Sequence, residues 1–192
     1  MNQAIIRDMP ALYPELLDKS SEIGFQMPSD QYIGTLLKTL VASKPVGNFL
    51  ELGTGIGLSL SWMLDGMDNA SKLTSIDNDG SLIAIAKEFF ATEERLRLEC
   101  QDGTTWIKQN QHKKFDLIFA DAWPGKYDLL DETLGMLKSG GFYVIDDMNP
   151  QSNWPDGHAD KATALITELD NRKDIKLTKM DWSTGVIVAV KL

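Results

Sequence analysis

Three aspartates stand where apolar runs end: Asp121 closes "KFDLIFADA", and Asp146 with Asp147 closes "GFYVIDD". If these runs are neighbouring strands, their ends carry three carboxylates to one edge, where they repel unless protons or a cation intervene. A hard divalent ion such as Mg2+ or Ca2+ takes oxygen ligands of this kind, which makes Asp121, Asp146 and Asp147 candidate metal ligands. The same groups could instead cap loops or bind a substrate amine. His158, in the proline-bounded "NWPDGH", is a candidate general base for that edge. A surface histidine at a helix N-terminus is the alternative.

A second stretch carries binding rather than reaction. Asn48 to Ser59, "NFLELGTGIGLS", is a short apolar run that breaks at Gly53, Gly55 and Gly57 before the helix-compatible "LSLSWML". Strand, glycine-rich turn, helix is the entry to a nucleotide site, because glycines let the backbone turn sharply and approach a ligand that a Cβ would push away. An ordinary strand-to-helix turn is the competing reading. Asp77, ending the strand "SKLTSID", is placed to accept from ribose hydroxyls; a solvated strand end or a helix cap is its alternative. A dinucleotide site would also want an acid there, but it needs a third glycine where Leu58 stands.

These residues need elements to hold them. Helical spacing covers Met9 to Glu22 and Asp30 to Ser43, with "GFQMPSD" between them as a turn or lid. Strands then alternate with helices: Leu58 to Met67, "DGSLIAIAKEFFATEE" capped by Asp79 or Ser81, "DGTTWIKQNQ" opened by Asp102, "KYDLLDETLGMLKSG" closed at Gly140, and Ala159 to Arg172. The last segments, "DIKLTKM" and "GVIVAVKL", alternate like an antiparallel pair. The expected class is α/β, a doubly wound, mostly parallel sheet with a C-terminal antiparallel hairpin. One domain over 1–192 is expected, with 1–46 as N-terminal helices and lid and 47–192 as the Rossmann-like core.

Composition narrows the ligand. At 43% hydrophobic and 24% charged residues the chain is an ordinary globular one, with no apolar run long enough to span a bilayer and no cleavable apolar core in "MNQAIIRDMPALYPELL". A cytoplasmic protein is expected. A net charge of −9 disfavours a nucleic-acid partner, which leaves a small-molecule substrate. The single cysteine, Cys100, reads as a buried small hydrophobe.

Taken together, "LELGTGIGLS", the acidic end of "LTSID", "FDLIFADAWPGKY", "LKSGGFYVIDD" and the terminal hairpin resemble the class I S-adenosylmethionine-dependent methyltransferases, and within them the small-molecule O-methyltransferases of the catechol and caffeoyl-CoA type. The resemblance covers nearly the whole chain. It implies a seven-stranded sheet in the order 3-2-1-4-5-7-6 and S-adenosyl-L-methionine as cofactor. It places Gly53, Thr54, Gly55, Gly57, Ser59, Asp77 and Asn78 around the cofactor, Asp102, Gly103 and Trp123 near its adenine, and Met27 and Ser29 near its methionine end. Asp121 is implied at both cofactor and metal. Glu51 is expected to be buried and to bond backbone amides of the loop, either as a structural group or as a cofactor contact. In the cation-dependent members the ion would hold two substrate hydroxyls and lower the pKa of the one to be methylated. Their Asp-Asn pair is here Asp146-Asp147 or Asp147-Met148, and in the second case a thioether replaces an oxygen ligand. The catechol enzyme's lysine base follows its tryptophan directly; here Pro124 follows Trp123 and Lys126 comes two residues later, either a base or electrostatic aid or an exposed loop lysine. Trp123 and Trp154 could wall the pocket. A homodimer through the N-terminal helices is implied by the resemblance alone. An aminopropyl transferase of the same fold, or a cofactor-holding module without turnover, are the other readings. The acceptor would be set by residues 1–30 and 148–158.

Overall fold

The computed structural model describes residues 6–151 and 154–192; positions 1–5, 152 and 153, parts of the two segments expected to set the acceptor, lie outside the described residues. A seven-stranded sheet runs in the order β3-β2-β1-β4-β5-β7-β6. Its strands are β1 (Asn48–Leu52), β2 (Lys72–Asp77), β3 (Leu96–Cys100), β4 (Phe115–Ala120), β5 (Leu137–Ile145), β6 (Ile175–Met180) and β7 (Val186–Lys191). All pairs from β3 to β5 are parallel, and β7 runs antiparallel to both β5 and β6. The helices are α1 (Tyr13–Glu22), α2 (Gln31–Ala42), α3 (Leu58–Gly66), α4 (Gly80–Phe89), α5 (Gly103–Asn110), α6 (Leu130–Gly135) and α7 (His158–Asn171).

The period-two geometry of the central strands divides the core. Phe49, Leu117, Phe119 and Val144 point to the face covered by α1 to α4, while Leu50, Leu52, Ile118, Ala120, Tyr143 and Ile145 point to the face covered by α5 to α7. Both faces are covered, so β1 and β4 read as nearly continuous apolar runs. Helix α3 is buried from Leu58 through Leu64 because α1 and α2 pack on it from outside while the sheet lies beneath. Trp62 on α3 meets Tyr13 edge-on at 5.3 Å.

Two local expectations are corrected. The helix expected through Gly140 stops at Gly135, and Leu137 already pairs with Phe115 in β5. The register then jumps so that Leu117 faces Phe142, which leaves residues 138–141 as a bulge. Gly140 supplies its positive φ (+75), and a Cβ on Gly141 would come within 2.8 Å of the Lys138 carbonyl oxygen. Burial of Leu137 against the sheet outweighs one more helical turn. Cys100 is exposed, not buried, because β3 is an edge strand whose residues are at most partly covered. Asp79 and Asp102 cap their helices as expected, and Asp30 caps α2; each accepts an amide of the turn that follows.

A Cβ added at Gly34 would lie 2.4 Å from Trp62 Cδ1, whereas one at Gly135 would meet nothing within 4 Å. Gly34→Ala should therefore lower the unfolding free energy by about 1–3 kcal/mol through overpacking. Gly135→Ala should be neutral or slightly stabilising, since it adds helix propensity without a clash. Urea denaturation of the two variants checks the contrast, and equal midpoints would contradict this account of the α2/α3 contact.

Candidate active site

The glycine loop is built from three left-handed residues, with φ of +103 at Gly53, +52 at Gly55 and +99 at Gly57. Parallel pairing continues past the strand end: the Gly53 amide donates to the Ile76 carbonyl and the Asp121 amide to the Leu52 carbonyl, each at 2.9 Å. The ends of β1, β2 and β4 are thereby fixed side by side. A Cβ at Gly53 would stand 3.0 Å from the Asp121 carbonyl oxygen, and one at Gly57 2.5 Å from the Phe90 ring. Asp77 Oδ2 accepts the Gly55 amide at 2.8 Å, and Oδ1 accepts the Asp79 amide at 2.9 Å. Each oxygen keeps a second lone pair for a ligand hydroxyl. Asp77 thus shapes the loop as well as facing the cavity.

Beneath the loop lies Glu51, fully buried. Its Oε1 accepts from Ser59 Oγ at 2.7 Å and its Oε2 from Ser75 Oγ at 2.5 Å, and Ser75 Oγ also contacts Thr54 Oγ1 at 2.6 Å. The expected bonds to backbone amides are replaced by side-chain hydroxyls, and Glu51 does not line the cavity. Burial pushes its carboxyl up to about 7, the Asp77 charge pushes in the same direction, and the two serine bonds hold it back.

Above this platform is a cavity of about 490 Å³. It is lined by Met27, Ser29, Gly53, Thr54, Gly55, Ser59, Asp77, Asn78, Asp102, Gly103, Asp121, Trp123 and Asp147, so most of the residues chosen from the sequence converge on one space. Gly57 and Glu51 support the loop from outside that lining, and Lys126, Asp146 and His158 also stand outside it. Phe25, Ile56, Leu82 and Pro124 line the cavity and were not anticipated. Phe25 lies over the loop, its ring 3.0 Å from where a Gly55 Cβ would be. A lone aromatic in a lid segment carries no periodic signal that would have singled it out.

At the far end the carboxylates meet a lysine. Gly125, at φ +83, is pressed so closely on Leu52 that a Cβ would sit 2.4 Å from its Cδ1, and the Gly125 carbonyl accepts from Tyr143 Oη at 2.5 Å. The turn after Trp123 therefore folds inward. Lys126 is only 4% exposed, and its Nζ donates to the Asp146 carbonyl at 2.5 Å. It is neither an exposed loop lysine nor placed in the cavity as a base. Burial pulls its pKa down, opposed by the charges of Asp121, Asp147 and Asp146. Burial holds Asp121 well above the usual carboxylate range, and Asp146 and Asp147 push it further. Asp146 is pushed up to about 6, chiefly by burial.

Each carboxylate already has a protein donor. Asp121 Oδ2 accepts from Ser29 Oγ at 3.2 Å; Asp146 Oδ1 accepts from Thr184 Oγ1 at 2.5 Å and the Asp147 amide at 2.7 Å; Asp147 Oδ1 accepts from Gln151 Nε2 at 2.5 Å. Asp147 itself sits in the left-handed region at φ +56, which Asp tolerates better than most residues. Among the described residues no three acidic, histidine or cysteine side chains are grouped to hold a metal ion. The set that was expected to bind Mg2+ or Ca2+ instead accepts from protein donors beside a buried lysine, whose positive charge disfavours a divalent ion there.

His158 is enclosed by aromatic rings outside the cavity lining. Trp154 stacks on its ring at 4.2 Å, Trp123 and Tyr127 meet it edge-on, and Tyr127 Oη lies 3.1 Å from its Nε2. Burial lowers its pKa, assisted by Lys126 and Lys161. The general-base role expected for it is not what this box provides; it braces Trp123, which lines the cavity, while Trp154 packs on the histidine instead of walling the pocket.

The buried acid under the loop gives a pH signature. Because the folded-state pKa of Glu51 is raised from 4.5 to about 7, the stability linked to its proton is complete below the lower value and is lost as pH rises through the upper one. Glu51→Gln keeps a neutral group for both serines. Its stability relative to the parent should rise by about 1 kcal/mol per pH unit between about pH 5 and pH 7. Denaturation curves across that range check this, and a difference independent of pH would place the proton elsewhere.

A family profile described as O-methyltransferase matches residues 15–185. A protein of Mycobacterium avium (strain 104), provisionally named an O-methyltransferase, is 31% identical over 118 residues, covering 59% of this chain and 53% of its own. The chain thus spans about half the length of the curated relatives it matches. In fold it is similar to an O-methyltransferase from Bacillus cereus in complex with S-adenosylhomocysteine (TM-score 0.84, 17% identity, 100% of this chain and 94% of that one). It is likewise similar to TomG from Streptomyces achromogenes, an O-methyltransferase of tomaymycin synthesis in complex with S-adenosylmethionine (TM-score 0.79, 18% identity, 98% and 92% covered). With most of its length matched by that profile and the sheet order in place, the chain belongs to the O-methyltransferase family.

Proposed function

We propose that the protein transfers the methyl group of S-adenosylmethionine to an oxygen of a small-molecule acceptor. The observation that carries this reading is one continuous cavity with the glycine loop and Asp77 at one end and Asp121, Asp147 and Trp123 at the other. When bound, the cofactor supplies a methyl already activated on a sulfonium, so the protein has only to align the acceptor and take its proton. Asp77 and the loop amides hold the ribose end. Trp123 and Asp147 orient the acceptor against Asp121.

Asp121 is the group suited to take the proton. Asp121 lines the cavity; its Oδ2 is held by Ser29, whereas Oδ1 accepts no bond among the described residues. Its raised pKa makes it a stronger base than a solvated carboxylate. The aromatic wall at Trp123 and the acidic floor suit a compact, neutral or cationic hydroxylated acceptor. The net charge of −9 argues against nucleic acid. No helix among the described residues is long and apolar enough to cross a membrane, which is consistent with the proposed cytoplasmic setting. Met9, Leu17 and Ile23 leave apolar surface exposed on and beside α1, which supports a homodimer through the N-terminal helices; light scattering should give twice the chain mass.

Two measurements test the reading. In titration calorimetry S-adenosylhomocysteine should bind, and Asp77→Ala should weaken it at least about tenfold by removing a charged hydrogen-bond acceptor. Asp121→Asn should leave that binding within a few-fold while lowering turnover about 100-fold, the usual scale for loss of a positioned base. An acceptor panel of catechols, hydroxy acids and amines then decides the chemistry. Product on amines alone would overturn oxygen transfer, and cofactor binding without any product would turn the reading to a binding module.

A further inference from the structure

We propose that Lys126 is a built-in counter-cation standing where a divalent metal would otherwise be needed, so that the carboxylate end of this site works without one. The role presupposes the methyl-transfer reading above, but the arrangement of charge does not. Lys126 reaches the interior because Gly125 packs on Leu52 where no Cβ fits, and because Tyr143 holds the Gly125 carbonyl. Its Nζ donates to the main-chain oxygen of Asp146 and lies 5.2 Å from the Tyr127 ring centroid. The charges of Asp121, Asp146 and Asp147 all act on it. These are the three side chains that a metal would require, and each is already oriented by Ser29, Thr184 or Gln151. A divalent ion brought among them would face a buried positive charge with little solvent to screen it. Without pairing directly to any of the three, a single ammonium relieves the repulsion among the carboxylates through space and fixes the end of β5 through its bond to the Asp146 carbonyl.

A plainly structural lysine, one that only ties the turn to β5, would explain the bond to Asp146 but not the exclusion of metal. Lys126→Gln separates the two, since it keeps a hydrogen-bond donor and removes the charge; Lys126→Arg keeps both. The probe is Mn2+, followed by electron paramagnetic resonance of the free ion. The full-length wild type and Lys126→Arg should show no Mn2+ uptake that Asp147→Asn abolishes, and their transfer rate should be unchanged in excess chelator. Lys126→Gln should take up Mn2+ at least about tenfold more tightly than wild type, in a manner lost on adding Asp147→Asn. Wild-type uptake sensitive to Asp147→Asn, or a folded Lys126→Gln that gains none, would overturn the proposal. If Lys126→Gln does not fold, the wild-type and Lys126→Arg titrations decide. S-adenosylhomocysteine binding to the same variants reports the cofactor end separately, so a failure of the methyl-transfer reading is seen as such.

Discussion

The site depends on the parallel register of β1 between β2 and β4. The bonds from Gly53 to Ile76 and from Asp121 to Leu52 carry the ladder one residue beyond the strands. They bring Gly53, which has no side chain, against a main-chain segment that bears a carboxylate. Any side chain at Gly53 would have to share space with the Asp121 backbone. The absence of a Cβ therefore does two things at once: it opens the cavity toward a ligand and lets β4 deliver Asp121 to the same point. A parallel sheet with both faces covered supplies the rigidity for this, since its central strands have no solvent face on which to shift.

Charge in the interior is handled by pairing polar groups locally. Glu51 sits under the loop with a serine hydroxyl on each oxygen, and its burial shifts it toward the protonated form. At the other end a lysine bonded to the Asp146 main-chain oxygen lies near three carboxylates, and burial pushes Asp121 and Asp146 up while pulling Lys126 down. Burial disfavours charge at both ends, as expected where water cannot stabilise it, and at the second end the attraction between the lysine and the carboxylates opposes that effect. The consequence for chemistry differs. Glu51 lies outside the cavity lining, whereas Asp121 is part of it.

The C-terminal hairpin, remote in sequence, completes the acceptor end. The Met148 and Asn149 amides donate to the Gly185 and Thr184 carbonyls, and the Thr184 hydroxyl donates to Asp146. The turn between β6 and β7 thereby holds the loop that follows β5 in place. Trp182 in the same turn packs near Tyr32 at the start of α2, which ties the hairpin to the N-terminal helices. The lid enters through Ser29 on Asp121 and Phe25 over the glycine loop. Four segments far apart in the chain thus close around one space.

Much of this was legible locally. Alternation of apolar runs with helical stripes, glycine spacing between Gly53 and Gly57, and acids at strand ends are short-range properties, so the doubly wound class, the closing hairpin and the glycine loop with Asp77 follow from the chain read in order, whereas the strand order and the other lining residues up to Trp123 are implied by the family resemblance. What needed the tertiary structure were the contacts between distant segments. Lys126 reads as a loop residue until Gly125 is seen packed on Leu52, and His158 reads as a free base until Trp154, Trp123 and Tyr127 enclose it. Gly140 looks like a helix stop, yet the pairing of Leu137 with Phe115 makes it part of a bulge. Residue types and spacing determined which groups could do chemistry. Packing, which depends on partners many residues away, decided which of them face the ligand and which hold the others in place.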